Sequence, residues 1–217
     1  MKKIFNIKIA ILALIIVSTY NCKETKKETK ENIKEEKMET SSEKFSLVND
    51  STKVNFTAYK TSEKLPVGGM FKKINITKNN SGATALESLN GTTFTIPVSS
   101  LFTNDATKTR DPKILEFFFG VMENTTLISG IVKVSEDEKC SIDITLNGQT
   151  ENIPLTIQKN SELSYTFNGV MNLENWDALD AVSSINKACE ALHTGADGVS
   201  KTWSEVAVQA NVLLKKE

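Results

Sequence analysis

From Phe45 onward, apolar and polar residues alternate in short runs, the period of strands that bury one face. In TKVNFTAYK, Val54, Phe56 and Ala58 share one face while Asn55, Thr57 and Tyr59 take the other. The same alternation recurs in FKKINITK, TTFTIPVSS, SGIVKVS, SIDITL, NIPLTIQ, LSYTFNGVM and EVAVQANVLL. About eight or nine strands are predicted. Asn147-Gly148 stands between SIDITL and NIPLTI, as a type I′ hairpin demands, because both central residues need positive φ. Asn90-Gly91 is a second signal of that kind. Neighbours joined by such tight turns pair antiparallel.

Two segments break this period. In DPKILEFFFGVM, Asp111 can cap a helix and Pro112 can occupy its first turn. Ile114, Phe117, Phe118, Val121 and Met122 then recur at helical spacing, with Leu115 and Phe119 widening the apolar face. In DALDAVSSINKACEALHTG the apolar positions are Ala178, Ala181, Val182, Ile185, Cys189 and Leu192, with Asp177 and Asp180 as helix-start residues and Gly195 just past the end. The expected fold is all-β with helical additions: an eight-stranded antiparallel β-barrel with two amphipathic helices near its ends. Closure into a barrel leaves no free edge. An immunoglobulin-like sandwich is the competing architecture, and it has no use for two apolar helices. A barrel of this strand number is either filled by side chains or just wide enough for one ligand.

The N-terminal part has a different character. Lys2, Lys3 and Lys8 precede an apolar run from Ile9 to Val17, which reads as a secretory leader and falls short of the roughly 20 residues of a permanent span. Ser18, Thr19, Tyr20, Asn21 and Cys22 follow the run and resemble a loose lipobox, in which bacterial lipoproteins carry the cysteine that receives diacylglycerol, although Asn21 replaces the usual small residue before it. Residues 23–44 mix Lys and Glu with only Ile33 and Met38 to bury, so this stretch is predicted to be a disordered tether. As a flexible coil it would hold the domain on the order of 25 Å from an anchor. The division expected is therefore leader 1–22, tether 23–44 and one β domain 45–217, in an exported protein of the cell envelope, periplasmic or on the outer membrane.

Charge removes one class of function. Lys+Arg 26 against Asp+Glu 27, a net charge of -1, supplies no basic field for nucleic acid. No G-x-S-x-G, H-E-x-x-H, P-loop or G-x-G-x-x-G motif is present. The sole imidazole, His193, falls near the end of the second helix, where the dipole favours a positive side chain. Cys140 and Cys189 could pair in an oxidising compartment or stay as two buried thiols, and their spacing is not that of a metal site. The expectations are no enzyme, no cofactor and no metal. The conspicuous residues are apolar: Phe117, Phe118 and Phe119 in succession lie about 100° apart on a helix, so one must face elsewhere. They either fill the barrel's end or line a greasy cavity, helped by Met70 and Phe71 after the flexible Gly68-Gly69 pair.

The combination of VGGMFKKINI, TIPVSSLFTNDATKTRDPKILEFFF, LNGQTENIPLTI and EVAVQANVLL resembles the YceI-like, polyisoprenoid-binding family from Phe45 to the C-terminus. Ser99-Ser100 through Arg110-Asp111 is similar to that family's S-x-x-T and R-D-x-x-L signature, with Leu115 at the leucine if one residue is inserted. The segment from Asp177 to Gly195 lies outside the minimal pattern. The resemblance implies a lipocalin-like barrel that holds a long isoprenoid or related amphiphilic lipid without catalysis. The expected ligand-binding set is Met70, Phe71, Phe94, Phe102, Ile114, Leu115, Phe117, Phe118, Phe119 and Met122, with Arg110 and Asp111 at the polar end. A partner membrane would be reached through Cys22, and pairing into a homodimer stays open. The competing reading is a structural or protein-interaction module with a filled core.

Overall fold

The computed structural model describes residues 43–217. The expected leader, Cys22 and nearly all of the expected tether lie outside the described residues.

The described chain forms twelve strands: β1 Phe45–Leu47, β2 Lys53–Lys60, β3 Leu65–Phe71, β4 Asn75–Lys78, β5 Ser81–Gly82, β6 Thr93–Pro97, β7 Leu101–Phe102, β8 Leu127–Val134, β9 Cys140–Leu146, β10 Gln149–Lys159, β11 Ser164–Asn172 and β12 Glu205–Lys216. Ten follow one another in a curled antiparallel sheet, in the order β4, β6, β8, β9, β10, β11, β12, β2, β3, β7, while β1 pairs with β12 and β5 beside that path. The expected count of eight therefore needs correction, and the cause is local. Only residues 72–74 separate β3 from β4, and only the 3₁₀ turn Val98–Ser100 separates β6 from β7. Phe71 pairs with Leu101, the Lys72 amide donates to the Ser100 carbonyl at 2.9 Å, and Asn75 pairs with Thr95. Two long staves are thus each bent once, and the two ends of the sheet order meet in a single ladder.

Register follows turn chemistry. Asn147 and Gly148 have φ 50° and 70°, as the β9–β10 hairpin requires. Asn90-Gly91 is not a hairpin turn. It follows a short helix, α1 Ala85–Leu89, with Asn90 at φ −64° as its C-cap. That helix, absent from the expected pair, starts with a capping box: Glu87 N donates to Thr84 Oγ1, and the Glu87 carboxylate accepts from Thr84 N.

The other two helical regions form as expected but break early. The first is α2 Arg110–Phe117, followed by a 3₁₀ turn at Phe119–Val121. Asp111 does not cap it; the carboxylate accepts instead from Thr103 N at 3.0 Å and Thr103 Oγ1 at 2.5 Å. The second splits at Cys189 into α3 Leu179–Ala188 and α4 Glu190–His193. Asp177, at φ 53°, ends a preceding 3₁₀ turn and starts no helix. Ala178, Ala181, Val182, Ile185 and Cys189 are buried as the stripe predicts, but the break at Cys189 leaves Leu192 59% exposed.

Inward positions keep period two along the long strands, with a register shift between Ile76 and Lys78 of β4, and the buried residues fall into two clusters. One joins Phe71, Ile96, Ile144, Ile153, Met171 and Trp176 to the α2–α3 end. The other, at the opposite end, joins Leu47 of β1, Ala85 and Leu89 of α1, Cys140, Tyr165, Phe167 and Leu214. Trp176 is fully buried, and its ring N–H donates to the Ile144 carbonyl at 2.9 Å, so its polar edge is satisfied.

Candidate functional site

Because β2, β9, β11 and β12 turn the same apolar parity inward, their side chains surround a cavity of about 440 Å³ and do not meet across it. Val54, Phe56 and Ala58, Ile142 and Ile144, Phe167 and Met171, and Val206, Val208 and Ala210 supply its walls. Two wall rings rest on glycines in the adjacent strand. Phe56 pairs with Gly69 and Phe94 with Gly130, and a Cβ at either glycine would fall 2.3 Å or 2.6 Å from the ring tip. These glycines let aromatic rings lie flat against the sheet and leave the centre open. Ile114, Phe118 and Phe119 come from the α2 region, Val182 and Ile185 from α3, and Cys189 from the break that follows it. The helix break after Phe117 turns Phe118 and Phe119 edge to face at 5.0 Å, with both on the wall.

Six expected ligand-binding residues line the cavity: Phe71, Phe94, Arg110, Ile114, Phe118 and Phe119. The other six are placed off its wall. Met70 has the outward parity of β3 and is 39% exposed; Phe102, its cross-strand partner, lies under the Lys72 ammonium. Asp111 is spent on Thr103, Leu115 and Met122 pack in the core, and Phe117 is half-buried elsewhere. Cys140 and Cys189 are both free and buried. Cys189 lines the cavity, while Cys140 belongs to the sealed end, where burial pushes its thiol up to about 11.

Every charged residue on the wall sits at one end: Lys60, Asp105, Arg110 and Lys113. Asp105 accepts from Thr107 Oγ1 at 2.6 Å, Thr109 N at 3.1 Å and Arg110 N at 3.2 Å, and so fixes the loop that leads into α2. Those bonds, the Thr107 hydroxyl foremost, hold its carboxyl below the usual range. Arg110 stands 3.8 Å from the same carboxylate. Lys60 Nζ donates to the Leu192 carbonyl at 2.9 Å and so takes the last turn of α4, the position expected to favour a charged His193. His193 instead lies below its usual range, first because it is half-buried and then because Lys60 and Lys113 face it. Thr202 spends its hydroxyl proton on Asn186 Oδ1 at 2.9 Å. His193 Nδ1, 2.7 Å from that hydroxyl, must then be the donor, which leaves Nε2 unprotonated.

Lys60, Lys113 and Trp203 are rim residues that the sequence pattern did not single out, and His193, read there only as a helix-end residue, stands with them. For Lys60 a signal existed: it continues the inward parity of Val54, Phe56 and Ala58 at the strand's end, where a lysine can extend its charge out of an apolar tube.

A curled antiparallel sheet around an apolar hollow, with polar groups gathered at one end, defines a class of single-domain β proteins with room for one ligand. Within that class, the model of the YceI-like domain matches residues 45–213, and the chain belongs to the YceI-like family. Among solved structures, a polyisoprenoid-binding domain from Saccharophagus degradans, implicated in plant cell wall breakdown, is 13% identical with a TM-score of 0.55 over 80% of this chain and 98% of that one. BcnA of Burkholderia cenocepacia is 14% identical, with a TM-score of 0.48 over 78% of this chain and 99% of that one. No curated protein sequence matches the chain.

Proposed function

We propose that the chain is a non-enzymatic binding protein that shelters a long-chain isoprenoid or similar amphiphilic lipid, as an eight-staved, lipocalin-like barrel tethered at the cell envelope. The observation that carries this reading is the apolar cavity of about 440 Å³, within the range of small-molecule sites. A solid structural module would fill that space with side chains. The family supports the same reading, as does the polyisoprenoid-binding neighbour from Saccharophagus degradans.

Magnitudes favour a long chain. Each buried methylene contributes about 0.8 kcal/mol, and association costs something like 4 to 15 kcal/mol before net affinity appears. A short acyl tail binds weakly on this arithmetic, whereas a tail of some twenty carbons can bind tightly on burial alone.

Mass spectrometry of an organic extract of the purified full chain tests the cavity reading, with a long-chain lipid expected in near-equal amount to protein. Ala58→Trp, which drives an indole into the cavity, should cut that load by tenfold or more, on the order of a few lost methylene contacts. A lipid-free protein that also fails to take up added geranylgeraniol overturns the proposal. Anchoring rests on the leader and on Cys22. Growth with a palmitate analogue should label the wild-type chain and not Cys22→Ser; an unlabelled wild type ends that part of the reading.

A further inference from the structure

We propose that the amphiphile carries an anionic headgroup, a carboxylate or a phosphate, seated between Lys60 and Lys113 at the open end of the cavity. The inference rests on the lipid-binding reading and adds the chemistry of the head to it.

The charge balance at the rim points this way. Asp105 is the sole acidic residue on the wall, against Lys60, Arg110 and Lys113. Its carboxylate is consumed by the Thr107 hydroxyl and two backbone amides, and the remaining attraction goes to Arg110 at 3.8 Å. Among the described residues neither Lys60 nor Lys113 has an ion-pair partner. Both are half-buried against an apolar wall, and neither positive charge is offset by a carboxylate there. Lys60 holds the Leu192 carbonyl with one of its three N–H groups, so two remain for an incoming oxygen. Both side chains line the same cavity, Lys60 from the end of β2 and Lys113 from α2, at the end where the charged wall residues gather. A neutral hydroxyl or quinone head would leave that surplus as it stands. An anion there forms charge-assisted hydrogen bonds, the stronger kind, while its tail enters the hollow below.

Three probes with the same tail isolate the head: geranylgeraniol, geranylgeranoic acid and geranylgeranyl phosphate, titrated into the delipidated full chain, with inorganic phosphate as the tail-free control. The acid or the phosphate should bind at least about tenfold tighter than the alcohol, as charge-assisted bonds in a partly desolvated site allow. Raising the salt concentration should narrow that gap. Lys113→Met should bring the preference below about threefold. Lys113→Arg should restore it, and Lys159→Met, which removes an equal charge from an exposed strand end away from the cavity, should leave it unchanged. Equal binding of the alcohol and both anions overturns the headgroup assignment and leaves the lipid-binding reading standing. Binding of inorganic phosphate as tightly as the lipid phosphate also overturns the assignment, because the tail would then contribute nothing. Failure of all three lipids overturns both readings.

Discussion

The two ends of the curled sheet use the same alternating strands to opposite effect. At one end Leu47 of β1 and Leu89 of α1 pack with Tyr165 of β11 and Leu214 of β12 across the opening, all below a tenth exposed. At the other, the helical segments bring Trp176, Ala178 and Val182 into the core yet stop short of a seal. Lys60, Lys113 and His193 stand at the gap, and Leu192 is 59% exposed. Hydrophobic parity along a strand thus sets which residues face inward, while the short elements at its two ends decide whether the interior is shut or reachable. The closed end is bought with apolar side chains; the open one keeps polar side chains that have work left to do.

That contrast can be broken most severely at the sealed end. Leu214→Ala removes a side chain that is 2% exposed and should destabilise the domain by about 3 kcal/mol. Chemical denaturation would read this as a lower midpoint with an unchanged slope. A loss below about 0.5 kcal/mol would mean that the seal contributes no packing.

The smallest expected effect lies at the open end and depends on pH. The folded-state pKa of His193 is lowered, by burial and then by Lys60 and Lys113. Below the ordinary histidine value of about 6.5, the unfolded chain therefore binds the proton before the folded one does. Stability associated with the neutral ring is present above that value and is lost as pH falls toward the folded pKa. The melting temperature of His193→Gln should fall less steeply than that of the wild type between about pH 7 and 5. Equal slopes would show that His193 titrates alike in both states.

The strands were legible because their burial is one-sided, and Asn147-Gly148 was legible because few residues tolerate positive φ at two successive positions. The bends were not. Residues 72–74 and Val98–Ser100 interrupt two staves without any turn signature, since each stave keeps its partner through the bend. Gly68-Gly69 read as a flexible joint, although Gly69 is a floor for the Phe56 ring within β3. That reading hid the parity that sends Met70 and Phe102 outward. Asp111 was misassigned as a cap because a carboxylate at a helix start fits that role equally well; only its contact with Thr103, eight residues back, separates the two. The capping box at Thr84 and Glu87 was written in the sequence, but a helix of five residues carries no periodicity to draw attention to it. The rim lysines escaped because a charge run along the chain and a charge cluster in space are different objects: Lys60 and Lys113 lie 53 positions apart in the numbering and reach one cavity wall only because β2 and α2 both border it.

A hollow plugged at one end has a directional consequence for the proposed ligand. Phe167 belongs both to the cavity wall and to the sealed cluster that α1 and β1 complete, so it marks the floor. An amphiphile bound as proposed would enter tail first and leave head first, and the depth to that floor would act as a ruler: longer tails would coil or trail outside, and shorter ones would leave empty space at the bottom.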